Sequence, residues 1–171
     1  MSPIICEAPI QKSVFNRIIG DSELELLFAR FLDDCGDVVS YAKNYFAVNF
    51  KLDYVNADGD ISNYYPDFLV KLSDQGIFVV ETKGQEDVDV ALKMERLRQW
   101  CEDINRVQSG VKYDFVYVDQ ESFERYQPTS FGSWLMASGN TKRKYNRALG
   151  RTVEIRPYEA SARKGREVTT G

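Results

Sequence analysis

Histidine is absent from this 171-residue chain, and cysteine is scarce. Without histidine there is no Ser-His-Asp or Cys-His nucleophile and no histidine-ligated zinc. The three cysteines, Cys6, Cys35 and Cys101, are odd in number and lack metal-type spacing, which predicts small buried side chains and no disulfide framework. Any acid–base chemistry therefore falls to carboxylates, lysine, tyrosine or a metal-bound water.

Long apolar runs are also missing. No run approaches the roughly 18 apolar residues that a membrane helix needs. The segment from Met1 to Ile4 has no basic stretch followed by an apolar core, so we expect no secretory signal. Together with the few cysteines, these absences predict a globular protein of the reducing cytoplasm, with no membrane partner.

Positive charge is scarce in most of the chain and is concentrated near its end. The formal net charge of -4 divides into -10 over residues 1–140 and +6 over residues 141–171. This division predicts one domain over residues 1–140, followed by a basic tail over residues 141–171. The tail is either a nucleic-acid-binding arm, with Lys142, Arg143 and Lys144 as candidate contacts, or a solvated, partly disordered terminus.

Two segments have helical periodicity. The first helix is predicted to begin near Asp21-Ser22, where either residue can act as the N-cap, and to end at Cys35-Gly36. A second, longer helix is predicted from about Asp87 to Val107. The apolar stripe of the first helix consists of Leu24, Leu27, Phe28, Phe31 and Leu32.

Extended segments alternate with these helices. The turn at Ser73 to Gly76 predicts an antiparallel hairpin between the two strands beside it, and beyond Asp119 no firm element is predicted. The order helix-strand-strand-strand-helix-strand implies an α/β fold with a central mixed sheet flanked by helices. The predicted extended segments are Val38 to Phe50, Leu52 to Val55, Tyr64 to Leu72, Gly76 to Lys83 and Tyr113 to Val118.

Charged residues interrupt the two strands of the predicted hairpin. Asp67 precedes the apolar Phe68-Leu69-Val70, and Glu81 and Lys83 follow an apolar run ending at Val80. Glu81 and Lys83 project from one face because they are two residues apart. In the register where the numbers of paired residues on the two strands sum to 148, Asp67 lies opposite Glu81. Shifting the register by one residue places the two carboxylates on opposite faces of the sheet. We predict the even register.

Two carboxylates facing each other in a sheet repel unless a cation lies between them. Mg²⁺, with Mn²⁺ as a substitute, suits such oxygen ligands and activates water for attack on a phosphodiester. This hypothesis makes Asp67, Glu81 and the Thr82 carbonyl metal ligands, and Lys83 the group that orients or deprotonates the attacking water. The alternative is a turn aspartate and an exposed Glu81–Lys83 pair. The apolar strands around both motifs favour the metal site.

The combination of Pro66-Asp67, thirteen residues and Glu81-Thr82-Lys83 resembles the PD-(D/E)xK nuclease motif. Over residues 21–118 the chain is similar to the endonuclease domain at the C-terminus of type III restriction enzyme Res subunits. The resemblance implies a restriction-endonuclease-like core and a metal-dependent endonuclease of double-stranded DNA, acting in a restriction or defence system with a helicase or translocase. It also implies Asp67 and Glu81 as metal ligands and Lys83 as the catalytic lysine. Flanking similarities lie at Glu25 to Ala29, Lys43-Asn44, Asp89, Lys93 and Trp100-Cys101.

Two further residues have both a functional and a structural interpretation. The resemblance implies that Glu25 is a first-helix acid near the metal; the alternative is a capping or helix-dipole acid, and Glu23 is a competing candidate. Lys93 lies on the apolar arc of the second helix, where a lysine must reach solvent or an anion. It either contacts a phosphate or pairs with Asp89.

Several functions remain compatible with the same motif. A junction resolvase, a transposon or repair nuclease, or a non-catalytic DNA-binding module can use the same fold, because a fold does not fix its substrate. DNA is favoured over RNA. The sequence has no P-loop, so we expect either an excised domain of a larger enzyme or a stand-alone nuclease. One site cuts one strand, so double-strand cutting predicts a homodimer.

Overall fold

The computed structural model describes residues 4–5, 10–45, 48–72, 76–84 and 88–138. Lys142, Arg143 and Lys144 lie outside the described residues, as do Cys6 and the turn at 73–75. Residues 131–138 are helical and are called α4. The preceding elements are β1 (Ile4–Ile5), β2 (Ile19–Gly20), α1 (Glu23–Asp34), β3 (Val38–Lys43), β4 (Leu52–Val55), β5 (Ile61–Tyr64), β6 (Phe68–Leu72), β7 (Gly76–Lys83), α2 (Val90–Val107), β8 (Lys112–Asp119) and α3 (Gln120–Tyr126).

A four-stranded mixed sheet forms the centre of the fold, with the strand order β3-β6-β7-β8. The β3–β6 and β6–β7 pairs are antiparallel, and the β7–β8 pair is parallel. Helix α2 supplies the crossover that two parallel neighbours require. The predicted central mixed sheet is confirmed.

The strands alternate their side chains between two apolar cores, one on each face of the sheet. Phe68 and Val80 face the core that α1, α3 and α4 share. Leu69 and Val79 face a second core, formed with α2 and the β4–β5 hairpin. Helices therefore flank both faces of the sheet, as predicted.

Helix α1 has the predicted limits, but its buried face is rotated from the predicted stripe. Ser22 is the N-cap, and its Oγ accepts a hydrogen bond of 3.2 Å from the Glu25 N–H. Leu27 is 44% exposed, whereas Leu26 is buried. The reason is the β2 strand, where a Cβ on Gly20 would lie 2.9 Å from the Leu26 side chain. This close approach covers Leu26 and leaves Leu27 outside.

The predicted strands around residues 38–72 are divided differently in the structure. The first ends at Lys43, and Leu52–Val55 pairs with Ile61–Tyr64 in a separate two-stranded sheet. The segment predicted as one strand from Tyr64 to Leu72 is broken before Phe68. Pro66 lies in this break and has no N–H to donate to a sheet ladder. The break turns the chain from the hairpin into the central sheet.

Helix α2 begins at Val90, slightly later than predicted, with Asp89 as its N-cap. The Asp89 side chain makes no capping hydrogen bond. It instead accepts hydrogen bonds from Tyr54 Oη at 3.0 Å and from the Ala57 N–H at 2.9 Å. Asp89 therefore fastens the β4–β5 hairpin to the start of α2.

Beyond Asp119, where the sequence signal fades and no firm element is predicted, the described residues contain two more helices. Helices α3 and α4 follow, and Phe131 and Trp134 are completely buried in the α1 core. Asp37 accepts hydrogen bonds from the N–H groups of Phe131 and Gly132, which satisfies the start of α4. Helix α3 has only seven residues, too few for the repeated apolar spacing that identifies a helix in a sequence.

Cys35 and Cys101 are free and buried, which confirms their predicted role as small core residues. Within the described residues, no helix combines the length and the apolar character needed to span a membrane.

Candidate active site

The register of the β6–β7 hairpin brings the two motif segments together. Phe68 pairs with Val80 and Leu69 with Val79, so paired residue numbers sum to 148. The predicted even register is confirmed. Asp67 lies one residue before β6, and its N–H donates to the Val80 carbonyl at 2.9 Å.

Both oxygens of the Asp67 carboxylate are held by neighbouring groups. Oδ2 accepts hydrogen bonds from the Thr82 N–H at 2.8 Å and from the Thr82 hydroxyl at 2.7 Å. Oδ1 accepts from Lys43 Nζ at 3.2 Å. These contacts fix the direction of the carboxylate at the end of the sheet where β7 finishes.

Asn44 fixes the backbone beside Asp67. Its N–H donates to the Asp67 carbonyl at 2.7 Å, and its side-chain amide donates to the carbonyls of Pro66 and Phe50, both at 2.7 Å. Asn44 Oδ1 accepts from the Phe50 N–H at 3.1 Å. Asn44 therefore positions the site, a role that the sequence indicated only through the Lys43-Asn44 flanking similarity.

Glu81 is the least compensated charged group of the site. It is buried, and among the described residues no group meets its Oε2 at hydrogen-bond geometry, although the nearby Tyr64 hydroxyl opposes the rise in its pKa. Burial, followed by the negative charge of Asp67, raises the pKa of Glu81 well above its ordinary value. A buried carboxylate oxygen without a partner is costly, so this oxygen is suited to a cation.

Lys43 lies between two carboxylates in the interior. Its Nζ is 2.9 Å from Glu25 Oε2 and 3.2 Å from Asp67 Oδ1. Burial alone would lower the pKa of Lys43, but the charges of Asp67 and Glu25 outweigh it and raise the value. The sequence motifs alone predict no role for Lys43. The available signal was its place at the end of an apolar strand, two residues beyond the buried Tyr41.

Glu25 combines the two interpretations that its sequence position allowed. Its Oε2 accepts the Asp21 N–H at 3.0 Å, as a capping acid does, and the same oxygen contacts Lys43. Burial, then the charge of Asp67, raises the pKa of Glu25. The competing Glu23 is exposed. Glu25 is therefore the first-helix acid that reaches the interior.

Two lysines act on Glu81 from different elements. Lys83 ends β7 and is in register with Asp119 of β8. Lys93 lies on α2, and its Nζ is 5.8 Å from the centre of the Tyr54 ring. The positive charges of both lysines oppose the rise in the pKa of Glu81.

The oxygen donors of the site bear on whether it can hold a metal ion. No cluster of three or more His, Cys, Asp or Glu side chains suited to a metal occurs in the described part of the chain. A cation here would therefore rest on Asp67, Glu81 and a main-chain oxygen such as that of Thr82. Mg²⁺ is commonly bound through one or two carboxylates with water and substrate oxygens. The partnerless Glu81 Oε2 beside the charge of Asp67 fits such an ion.

Comparison with known proteins gives a family match. Residues 11–121 match the model of an endonuclease domain family, RE_endonuc, and this range includes the site from Glu25 to Lys93. Searches of curated proteins and of solved structures found no match. Since the matched range covers more than half of the chain, this protein belongs to the endonuclease domain family and is a nuclease.

Proposed function

We propose that this nuclease is a Mg²⁺-dependent endonuclease of the PD-(D/E)xK type that hydrolyses phosphodiester bonds in double-stranded DNA. Mn²⁺ would substitute for Mg²⁺. The observation that carries the proposal is the buried Glu81 Oε2, partnerless among the described residues and beside the negative charge of Asp67. A sheet gains nothing in stability from such a pair, whereas a cation-binding site requires it.

The proposed metal ligands are Asp67, Glu81 and the carbonyl of Thr82. When bound, Mg²⁺ supplies positive charge that acidifies a water molecule and offsets charge on the phosphodiester. The hydrogen bonds from the Thr82 N–H and hydroxyl to Asp67 Oδ2 hold the first of these ligands in place. Asn44 holds the adjoining backbone.

Lys83 is proposed to orient the attacking water or accept its proton. The alternation of β7 projects Lys83 from the same face as Glu81. As the water oxygen forms a bond to phosphorus, its proton passes to the neutral amine of Lys83 or, if Lys83 only orients the water, to solvent. The bond to the leaving alkoxide breaks, and the alkoxide takes a proton from solvent. Lys93, which acts on Glu81 from α2, is proposed to hold a phosphate oxygen. This scheme needs no histidine.

The resemblance to type III Res subunits supports a role in restriction or defence, with a helicase or translocase as partner. The charge of -10 over residues 1–140 adds support, because an acidic body disfavours tight unassisted binding to a polyanion. Double-strand cutting by this single site would use two copies of the chain.

A cleavage assay with Lys83→Ala tests the proposed chemistry. We expect wild type to cut supercoiled plasmid with Mg²⁺ or Mn²⁺ and not with EDTA. Removing a group that moves or orients a proton should slow cutting at least about 100-fold. Lys112→Ala is the matched control, since Lys112 is exposed at the far end of β8. Equal cutting by Lys83→Ala, or cutting in EDTA, would overturn the proposal.

Substrate comparison separates the related nuclease functions. Rates on linear duplex, flap and four-way junction DNA should favour the duplex for a restriction-type enzyme. A strong preference for the junction would instead identify a resolvase on the same fold.

A further inference from the structure

Asp67 has a carboxylate neighbour on each side. It lies one position beyond the Phe68–Val80 pair, opposite Glu81 of β7, and Lys43 Nζ links it to Glu25 of α1. A gap between two carboxylates attracts a cation in the poorly screened interior. The two gaps beside Asp67 differ in what the protein places in them.

The gap between Asp67 and Glu25 is filled by the Lys43 ammonium. Nζ lies 2.9 Å from Glu25 Oε2 and 3.2 Å from Asp67 Oδ1. The Lys43 and Glu25 side chains are only 4% and 8% exposed, so solvent screens the pair weakly. The ammonium also lies 5.3 Å from the centre of the Phe68 ring, a favourable position for a cation. Lys43 is thus enclosed by two acids and an aromatic face.

The gap between Asp67 and Glu81 is different. Among the described residues, no group donates a hydrogen bond to Glu81 Oε2, although this oxygen is buried. Asp67 therefore belongs to two carboxylate pairs. The protein's own Lys43 compensates the pair with Glu25, whereas the pair with Glu81 is suited to an added cation.

We propose that the Lys43 ammonium takes the place of a second divalent cation, so that this nuclease binds one metal ion, at Asp67 and Glu81. The inference rests on the proposed metal-dependent function. Two-metal hydrolases hold their ions about 3.5–4 Å apart. In this protein Asp67 would be the ligand that two such ions share, but its Oδ1 already accepts a hydrogen bond from Lys43 Nζ. A second ion between Asp67 and Glu25 would meet a buried positive charge.

Lys43 is a positioning residue in this account, and its charge sets the metal count. Replacing it with methionine, a neutral residue of similar length, leaves Asp67 and Glu25 facing each other without compensation. The freed gap then offers two carboxylates to a second ion, as hard divalent cations require. Removing Glu25 as well withdraws one of those carboxylates and restores a single site.

The number of Mn²⁺ ions bound per chain tests this proposal without measuring activity. Electron paramagnetic resonance of free Mn²⁺ during titration gives the count for the full chain. We expect one ion for wild type, two for Lys43→Met and one for the double variant Glu25→Gln/Lys43→Met. The double variant is the matched control, because it contains the same methionine.

Each outcome distinguishes this inference from the proposed function. Two ions in wild type, with one lost in Glu25→Gln, would overturn the inference and leave metal-dependent cleavage standing. A folded Lys43→Met variant that still binds one ion would also overturn it. No ion in wild type would overturn both. If circular dichroism shows that Lys43→Met does not fold, the wild-type count decides alone: one ion supports the inference and two overturn it.

Discussion

The residues of this site differ in how many of their polar side-chain atoms form hydrogen bonds. Asp67 accepts three hydrogen bonds, from Thr82 and Lys43, and is held rigidly. Glu81 lies within β7 and is more deeply buried than Asp67, yet its Oε2 has no partner among the described residues. Functional sites commonly retain such local costs, which the rest of the fold offsets. Glu81 is therefore the residue where stability and function should conflict.

Glu81→Gln should raise the stability of the metal-free protein. Glutamine keeps the shape of the side chain and removes an acid that is costly to ionise in the metal-free interior, as its raised pKa indicates, so we expect a gain of about 1–3 kcal/mol. Stabilisation by added Mg²⁺ should disappear in the variant. Thermal melts with and without Mg²⁺ measure both effects, with the exposed Glu124→Gln as control. A metal-free Glu81→Gln protein that melts below wild type would contradict this explanation.

The sequence predicts some of these residues and not others for a physical reason. Asp67, Glu81 and Lys83 interrupt apolar strands, and an isolated charge in such a run is visible without a structure. The roles of Lys43 and Asn44 depend on contacts with residues more than 20 positions away in the chain. Nothing in their immediate neighbours specifies those contacts.

Among the elements, the β4–β5 hairpin is the one whose packing bears most on the site. It ends at Tyr64, which is buried beside Glu81 and packs edge-on against Tyr54 with ring centres 6.5 Å apart. Asp89 joins the hairpin to α2 through Tyr54 and Ala57. The hairpin thus forms one wall of the site, and α2 also holds it through Arg96, whose Nε donates to the Asp53 carbonyl at 3.0 Å.

Asp89→Ala should loosen this hairpin selectively. Loss of the carboxylate leaves the Tyr54 hydroxyl and the Ala57 N–H without these bonds, a cost of about 1–3 kcal/mol. Amides of β4 and β5 should then exchange hydrogen roughly 10–100-fold faster, while those of β6 and β7 change little. Asp53→Ala is the control on the same hairpin, since Asp53 is exposed there. A uniform change in amide hydrogen exchange across the chain would show that Asp89 does not stabilise the hairpin locally.

Element prediction succeeded where periodicity is long and failed where it is short. The limits of α1 and the register of β6–β7 followed from apolar spacing and capping. Strand β5 has a single buried residue among four, so its alternation is too weak to detect. The seven-residue α3 and the described part of α4 depend on tertiary packing, as the burial of Phe123 and Trp134 shows.

Charge is divided unevenly along the whole molecule. Residues 1–140 carry a charge of -10 and residues 141–171 carry +6. Binding to DNA is dominated by contacts between basic side chains and phosphates. Affinity for DNA should therefore depend on the tail more than on the body.

Replacing Lys142, Arg143 and Lys144 with alanine should weaken DNA binding. If each contacts a phosphate, the slope of log K against log salt should decrease in magnitude by about 2 to 3 units. Cutting at saturating DNA should be unchanged. Fluorescence anisotropy at several salt concentrations measures the slope. An unchanged affinity and slope would show that these residues are merely solvated. The matched triple control, on exposed lysines of the body, is Lys51, Lys71 and Lys112 to alanine.

The central claim is metal-dependent DNA hydrolysis at Asp67, and plasmid cutting by wild type and Asp67→Ala with Mg²⁺ tests it most directly. The account predicts nicking by wild type that EDTA abolishes, and no cutting above background by Asp67→Ala. Cutting by Asp67→Ala at the wild-type rate would contradict the account and place the chemistry elsewhere in the molecule.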